Sequence, residues 1–393
     1  MKILLLSDPN SIHTRNWFDG LVSSNIVTDV LYVRGWGHSC IHGNSIPEEH
    51  LILLDKPGKT ALIKGTVKHG EFGKLIRDLK ARTTLHQSLV LLGREVGRIA
   101  EERGYDMIHA HGAATSALLA FSSRFRPYSV STWGSDIYLM PDTYSYLRPL
   151  ISEALSNAAF VHVESQISAQ RVEELTGTKR HDFLVSTWGV DTSRFTPGLP
   201  IGSTRRDLSI PHGRMILSLR SLEPLYRIDS IIRAFSMIAD TVSDAILVIA
   251  SSGQLRNELE DLAGNLGIHD RVVFTGFIES EQKRILLSNS YAYVQFPSSD
   301  GVALAMMEAM SSGLPLISSN VGETSVLIES ESNGLLVEDD SSEALAQAMT
   351  QILNDDLLRN RMSQRSRRLA LEKHNRSNFF RKFVTKAETT LKT

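Results

Sequence analysis

Two series of short apolar runs dominate the sequence, each run rich in Ile, Val and Leu, followed by polar turn residues and then by a segment of helical period. A strand that is apolar on both faces must be covered on both. Helices that return the chain to the next strand supply that cover, so the alternation specifies parallel sheets. The first series is Lys2–Leu6, Val27–Val33, Met107–Ala110, Tyr128–Thr132, Phe160–Val163 and Phe183–Val185. The second is Met215–Leu219, Ala245–Ala250, Val272–Thr275, Tyr291–Phe296, Leu316–Ser318 and Leu335–Val337. Helical patterns such as Leu150–Ala158, Ile228–Ile238, Gln254–Leu266 and Ser342–Leu353 lie between them. The spacing predicts two doubly wound α/β domains with parallel sheets.

Between the series, Thr196–Thr204 holds two Pro and two Gly in nine residues and breaks any regular element. It reads as the linker, giving a first domain over 1–200 and a second over 201–375. A last helix over 376–393 carries Phe379, Phe380, Phe383 and Val384 as an apolar stripe, expected to dock back on the first domain. A chain with 42 Lys+Arg against 44 Asp+Glu has a formal charge of −2, which excludes a generally basic nucleic-acid binder. Cys40 is the sole cysteine, so it forms no internal disulfide and belongs to no metal-ligand spacing. That fits a reducing, cytoplasmic compartment. Asp8, Asn10, His13 and Arg15 follow directly on Leu6, leaving no apolar region of signal-peptide length. No apolar run approaches the roughly 18 to 20 residues that cross a bilayer, so the expectation is a soluble protein, at most peripheral to a membrane.

The most informative stretch runs from Phe296 to Ile317. A strand ends at Phe296, a turn containing Gly301 follows, and a helix rich in Ala, Met and Leu is expected from near Val302. The first turn of such a helix leaves backbone N–H groups free, which makes an anion site suited to a diphosphate. Asp300 precedes the helix and Glu308 comes eight residues later, about two turns on and on the same face. The plainer reading makes Asp300 an N-cap and Glu308 a solvated helix residue.

The segments Asp106–Gly112, Ser131–Ile137, Thr187–Pro197 and Asn333–Val337 occur in order with that stretch. Together they resemble the family 4 retaining glycosyltransferases of GT-B architecture, the glycogen-synthase-like and phosphatidylinositol-mannosyltransferase-like enzymes. The resemblance covers nearly the whole chain, and its most specific part is the acidic-x7-acidic spacing of Asp300 and Glu308 with Glu-Ala-Met-x-x-Gly-x-Pro behind it. It implies two Rossmann-like domains facing a cleft, a nucleotide-diphosphate-sugar donor on the second domain and a glycan or lipid-linked acceptor on the first. It implies the donor as co-substrate with no further cofactor, and because the sequence has no carboxylate cluster around a DxD-type motif, metal independence is expected. Cell-surface polysaccharide or glycolipid synthesis is the implied setting.

Residue by residue, the resemblance gives Glu308 the ribose hydroxyls, the amides of Gly301, Val302, Ala303 and Leu304 the sugar and phosphate, and Asp300 the sugar hydroxyls, where the family usually has Glu. Gly276 joins them on the nucleotide side. Arg220 matches the arginine that neutralises the departing diphosphate, a charge-stabilising role; an ion pair with Glu223 is its bland alternative. The Lys that the family places a few residues later is replaced by Tyr226, with Arg227 adjacent, so either Arg227 takes over the charge or the phosphate clamp is weaker.

In the first domain the loop Pro9–Arg15 lacks the family's glycines, which favours side-chain contact from His13, Thr14 or Arg15. His109 reads as a buried structural residue, and His111, nearer the strand end, as one that reaches the cleft. Trp133 stands where many relatives have His, while Asp136 still matches. Trp188–Asp191 reads as an interdomain turn. These departures keep two alternatives open: a non-catalytic relative that binds a glycan or a partner, and a UDP-sugar epimerase of the same fold. The segment from Lys56 through Arg82 mixes Lys and Arg with apolar residues and few acids. It reads equally as a patch for an anionic membrane surface or as a solvated helix and loop. The basic run Arg361–Arg368 reads as a solvated helix face.

Overall fold

A computed structural model describes residues 1–33, 46–54, 71–179, 182–338 and 340–393, the side chains of Ile12 and of residues 71–86 excepted. Two compact units result. One comprises Met1–Ser186 with Phe380–Thr393, the other Thr187–Phe379. The Pro/Gly-rich segment Thr196–Thr204 therefore lies inside the second unit, where the Leu199 amide donates to Ser288 Oγ at 2.8 Å. The turn Trp188–Asp191 lies there too. Gly189, at φ 74°, passes so close to the His374 carbonyl that a Cβ would sit 2.6 Å from it.

The first unit carries strands β1 (Lys2–Leu6), β2 (Val27–Val33), β3 (Leu51–Leu54), β4 (Met107–His111), β5 (Tyr128–Ser131), β6 (Phe160–Val163) and β7 (Phe183–Val185). They form one parallel sheet in the order β3-β2-β1-β4-β5-β6-β7. The second unit carries β8 (Arg214–Ser218), β9 (Ala245–Ile249), β10 (Val272–Phe274), β11 (Ala292–Val294), β12 (Leu316–Ser319) and β13 (Gly334–Val337), ordered β10-β9-β8-β11-β12-β13 and parallel throughout. Both sheets are doubly wound, as the two apolar series predict. The pattern does not anticipate β3, a four-residue edge strand with one solvated face.

Helices cover both faces because their apolar stripes have nowhere else to go. Ile228–Ile238 buries Ile231, Ile232, Ala234, Phe235 and Ile238 against the second sheet. In the first unit, Phe380 and Phe383 of the final helix (Arg376–Lys392) meet the ring of Trp17 edge-on at 5.3 and 5.1 Å. Gly20 makes room for this seat, since a Cβ there would lie 1.9 Å from the Phe380 ring. Two fully buried phenylalanines contribute about 1.5–3 kcal/mol each by transfer from water.

In each sheet the strand order reverses beside the first strand of the unit, between β1 and β4 and between β8 and β11. Connections leave such a pair in opposite directions. A crevice opens at the strands' carboxyl ends, where ligands of open α/β sheets bind.

Candidate active site

In the second unit the residues just beyond β8 and β11 meet in that crevice. Arg220 follows β8 by two residues, Asp300 follows β11 by six, and Arg220 Nη2 donates to Asp300 Oδ1 at 3.1 Å. Both side chains are 13% exposed. Arg220 therefore pairs with Asp300, and Glu223 instead accepts from Gln254 Nε2 at 2.6 Å. The Arg220 guanidinium lies 4.1 Å from the centre of the Tyr226 ring, which occupies the position where a Lys was sought. Burial pushes the Asp300 carboxyl up, while Arg220 first and then Gln295, the latter 3.3 Å away, offset part of that cost. Burial likewise opposes the Arg220 charge, but Asp300 together with Tyr293 and Tyr226 outweighs it and holds the guanidinium above its ordinary value.

Asp300 is not on the helix. The helix spans Leu304–Ser311 with Ala303 as its N-cap, and no side chain caps it. The expectation that Asp300 and Glu308 share a helix face is therefore corrected, as is the N-cap reading of Asp300. The Asp300 carbonyl instead accepts from the Glu323 amide at 3.1 Å. That approach needs Gly322, whose Cβ would stand 2.0 Å from the carbonyl oxygen. Met306 N–H and Met307 N–H both turn back to the Ala303 carbonyl. The amides of Leu304 and Ala305, in the first turn, have no intrahelical acceptor and give the crevice a positive wall. Of the four residues Gly301, Val302, Ala303 and Leu304, Gly301 presents its N–H toward the Asp300 carboxylate and helps to hold it charged.

Glu308, the fifth residue of the helix, is 4% exposed. It is no solvated residue. Lys283 Nζ lies 2.7 Å from its Oε1. Burial pushes the Glu308 carboxyl up, and Lys283, then Arg376 and Arg194, work against that shift. Lys283 comes from the helix Ser280–Asn289, whose start is fixed by a capping box between Glu279 and Gln282. Sequence reasoning missed Lys283, because it sits in a polar helix with no fixed spacing to Glu308.

Arg227 adopts the left-handed region at φ 48°, pairs with Asp340 and lies 4.8 Å from the Phe296 ring centre. Its charge is met by Asp340, so Arg220 is the guanidinium paired with Asp300. Gly276, also at positive φ, lies beyond β10, where a Cβ would come 3.4 Å from Arg256 Nη1.

The first unit has its own crevice, a pocket of about 540 Å³ at the ends of β1 and β4 that His13, His111 and Trp133 help to line. His13 opens the helix Ile12–Ser23, capped by Ser11, and packs against Trp133 at 4.6 Å between ring centres. Thr14 donates its hydroxyl to the Asp8 carbonyl at 2.6 Å, so Ser7 must donate to Thr14 and accept from His111 Nδ1 at 3.0 Å. His111 is therefore an Nδ1–H tautomer with Nε2 as an acceptor. Burial drives its pKa well below the ordinary value.

His109 is fully buried and is not part of that pocket's lining. His162 Nε2 donates to the Ser186 carbonyl at 2.7 Å, which orients a chain from Ser129 through His109 and Ser131 to His162, with every imidazole neutral. Arg15 is not in the pocket lining. It pairs along its own helix with Asp19 at 2.7 Å, a half-exposed i,i+4 bridge. Asp136 is buried with both oxygens taken by the backbone, Oδ2 by Ala113 N–H at 2.6 Å and Oδ1 by Trp133 N–H at 2.9 Å. It anchors the turn that presents Trp133. Lys56–His69 lies outside the described residues, as do the side chains through Arg82. Among the described residues, no helix is long and apolar enough to cross a membrane.

Comparison with known proteins agrees with this geometry. Residues 203–369 match the family described as Glycosyl transferases group 1, and residues 2–165 match Glycosyl transferase 4-like. An uncharacterized glycosyltransferase of Methanocaldococcus jannaschii is 30% identical over 171 residues, covering 44% of each chain. A GDP-mannose-dependent alpha-(1-6)-phosphatidylinositol monomannoside mannosyltransferase of Mycobacterium tuberculosis is 27% identical over 293 residues, covering 70% of this chain and 74% of that one. Among solved structures, Anabaena HepE in complex with UDP superposes with a TM-score of 0.78 at 18% identity, over 99% of this chain and 100% of the other. With two parallel Rossmann-like sheets of GT-B type and a family match on each, the chain belongs to the group 1, 4-like glycosyltransferases.

Proposed function

We propose that the protein transfers a hexosyl group from a nucleotide-diphosphate sugar to a hydroxyl of a glycan or lipid-linked acceptor, with retention of anomeric configuration, in cell-surface polysaccharide or glycolipid synthesis. The observation that carries this reading is the meeting of Arg220 and Asp300 at the β8/β11 crevice, beside the first-turn amides of the helix that starts at Leu304. In the reaction the bond from the anomeric carbon to the diphosphate oxygen breaks and its electron pair goes to the diphosphate. The acceptor oxygen bonds to the anomeric carbon, and its proton passes to the diphosphate or to water.

Arg220 sits where charge grows on the leaving group, and a preorganised cation in a buried crevice acts more strongly there than in water. With Arg220 and the helix amides supplying positive charge, the reading is metal-independent. Asp300 holds Arg220 before the donor arrives and takes sugar hydroxyls afterwards. Glu308, paired with Lys283, accepts hydrogen bonds from the ribose hydroxyls. The nucleotide base stays open, because the Mycobacterium relative is named for GDP-mannose and the Anabaena structure contains UDP. In the sequence-based reading, the enzyme works in the cytoplasm and touches an anionic membrane face through Lys56–Arg82.

Donor turnover without acceptor tests this. Purified protein should slowly release nucleoside diphosphate from at least one of UDP-, GDP- or ADP-sugars, equally well in EDTA. The anomer of the transfer product, read by NMR coupling, tests retention.

A further inference from the structure

The pocket of the first unit has walls unsuited to a bare sugar. Leu31, Val33, Leu118, Leu119, Met140 and Leu147 form much of the lining of its roughly 540 Å³, and the rings of Trp133 and Tyr146 add to them. A sugar hydroxyl pressed against these walls would lose its water and gain no partner. Such a volume suits a ligand of drug size held by apolar contact and oriented by a few polar groups.

The polar groups are neighbours. Ser7 and His111 are 3.0 Å apart, Asp8 follows Ser7, and His13 and His111 both pack on Trp133. His111 is 7% exposed, and its Nε2 has no hydrogen-bond partner among the described residues. The Ser7–Thr14–Asp8 bonds fix that nitrogen as an acceptor, but the atom itself is shut away from solvent, so the polar end of the pocket is presented by Ser7, Asp8 and His13.

We propose that this pocket selects an acceptor whose reacting hydroxyl is carried on an apolar body, with the body between Leu118, Leu119 and Met140 and the hydroxyl at Ser7, Asp8 and His13. The proposal rests on the transferase reading and narrows it, favouring a lipophilic acceptor over a free glycan. Burial of an apolar body also gives the site a signature that hydrogen-bonded sugar recognition lacks, a negative heat-capacity change on binding.

The test uses the full chain without donor and two probes, 7-hydroxy-4-methylcoumarin and methyl α-D-glucopyranoside, titrated by calorimetry at two temperatures. The coumarin should bind 1:1 at least tenfold more tightly than the glucoside, with a negative heat-capacity change. Ser116→Trp, which fills the pocket from a partly exposed position, and Met140→Lys should each weaken coumarin binding at least tenfold. Thermal melts confirm that the variants fold, and the two-probe comparison in the unaltered protein stands without them. Equal or tighter binding of the glucoside, or coumarin binding unchanged in both folded variants, would overturn the proposal. Donor turnover is read separately. Coumarin failure with donor turnover intact sinks only the pocket assignment, whereas coumarin binding without any donor turnover sinks the transferase reading instead.

Discussion

Lys283 holds Glu308 through a 2.7 Å contact between Nζ and Oε1, in a place where the carboxylate is almost wholly removed from water. Burial pushes the carboxyl up, and the lysine is the strongest of the groups that work against that shift. Glu308→Gln preserves size and helix propensity and removes the charge. Nucleotide affinity should fall roughly tenfold or more, the scale of one charged hydrogen bond. Lys283→Met should weaken nucleotide binding as well, through Glu308. Calorimetry with UDP and GDP reads both, and undiminished binding by folded Glu308→Gln removes the ribose assignment.

Arg220 stacks on Tyr226, with 4.1 Å from guanidinium to ring centre. This cation–π contact helps to hold the guanidinium in place beside Asp300. Tyr226→Phe keeps the ring and should leave kcat within a few-fold of the parent, while Tyr226→Ala frees the guanidinium and should lower kcat about tenfold with less change in donor KM. Arg227, already met by Asp340, should matter less. An Arg227→Ala loss exceeding that of Arg220→Ala would move the clamp along the segment.

The two sheets were legible because a buried parallel strand leaves an apolar run of its own length. Lys2–Leu6, Val27–Val33 and Phe160–Val163 are found where the pattern puts them. Tyr291–Phe296 shortens to Ala292–Val294, although the flanking amides still bond into the sheet, Tyr291 N–H to the Met215 carbonyl and Gln295 N–H to the Ile317 carbonyl. The helix near Val302 starts at Leu304, a shift of two residues that separates Asp300 from Glu308 in geometry though not in sequence. What lay hidden were contacts made across the fold. Lys283 reaches Glu308 over 25 positions and Arg220 reaches Asp300 over 80, distances that no local pattern encodes. The histidine chain was equally hidden, since its order depends on the pairing of β4 with β5 and of β5 with β6.

That chain predicts acid sensitivity. Burial pushes His162 down to about 4, and His109 and His111 well below the ordinary value of 6.5. Because the folded pKa values lie below the unfolded one, the unfolded chain takes up protons first as the pH falls. The stability that His162 contributes is complete above about pH 7 and is lost between about 6.5 and 4, and His109 and His111 act in the same direction. By linkage, one histidine shifted from 6.5 to about 4 costs on the order of 2 kcal/mol at pH 5. Urea midpoints at pH 7.5 and 5.0 should differ accordingly, and His162→Asn should narrow the difference. Equal midpoints in the parent protein would count against a neutral buried chain.

Membrane attachment is tested by flotation. Each basic side chain near an anionic surface contributes about 1 kcal/mol, fading beyond a Debye length of about 8 Å at physiological salt. Anionic vesicles should carry the protein at low salt and release it at high salt, and neutral vesicles should carry little. Binding unaffected by changing Lys59, Lys64, Lys68 and Lys74 to Gln would leave that segment a solvated face.

The central claim is that the crevice between β8 and β11 stabilises a departing nucleoside diphosphate through Arg220. Its most direct measurement is nucleoside diphosphate release from a panel of UDP-, GDP- and ADP-sugars by the parent protein and by Arg220→Ala. Removing one preorganised charge of this kind costs about 10²–10³ in kcat. The account predicts release from at least one donor by the parent and a loss of that size in kcat, exceeding any rise in donor KM. No release from any donor, or release by a folded Arg220→Ala equal to the parent's, would contradict it.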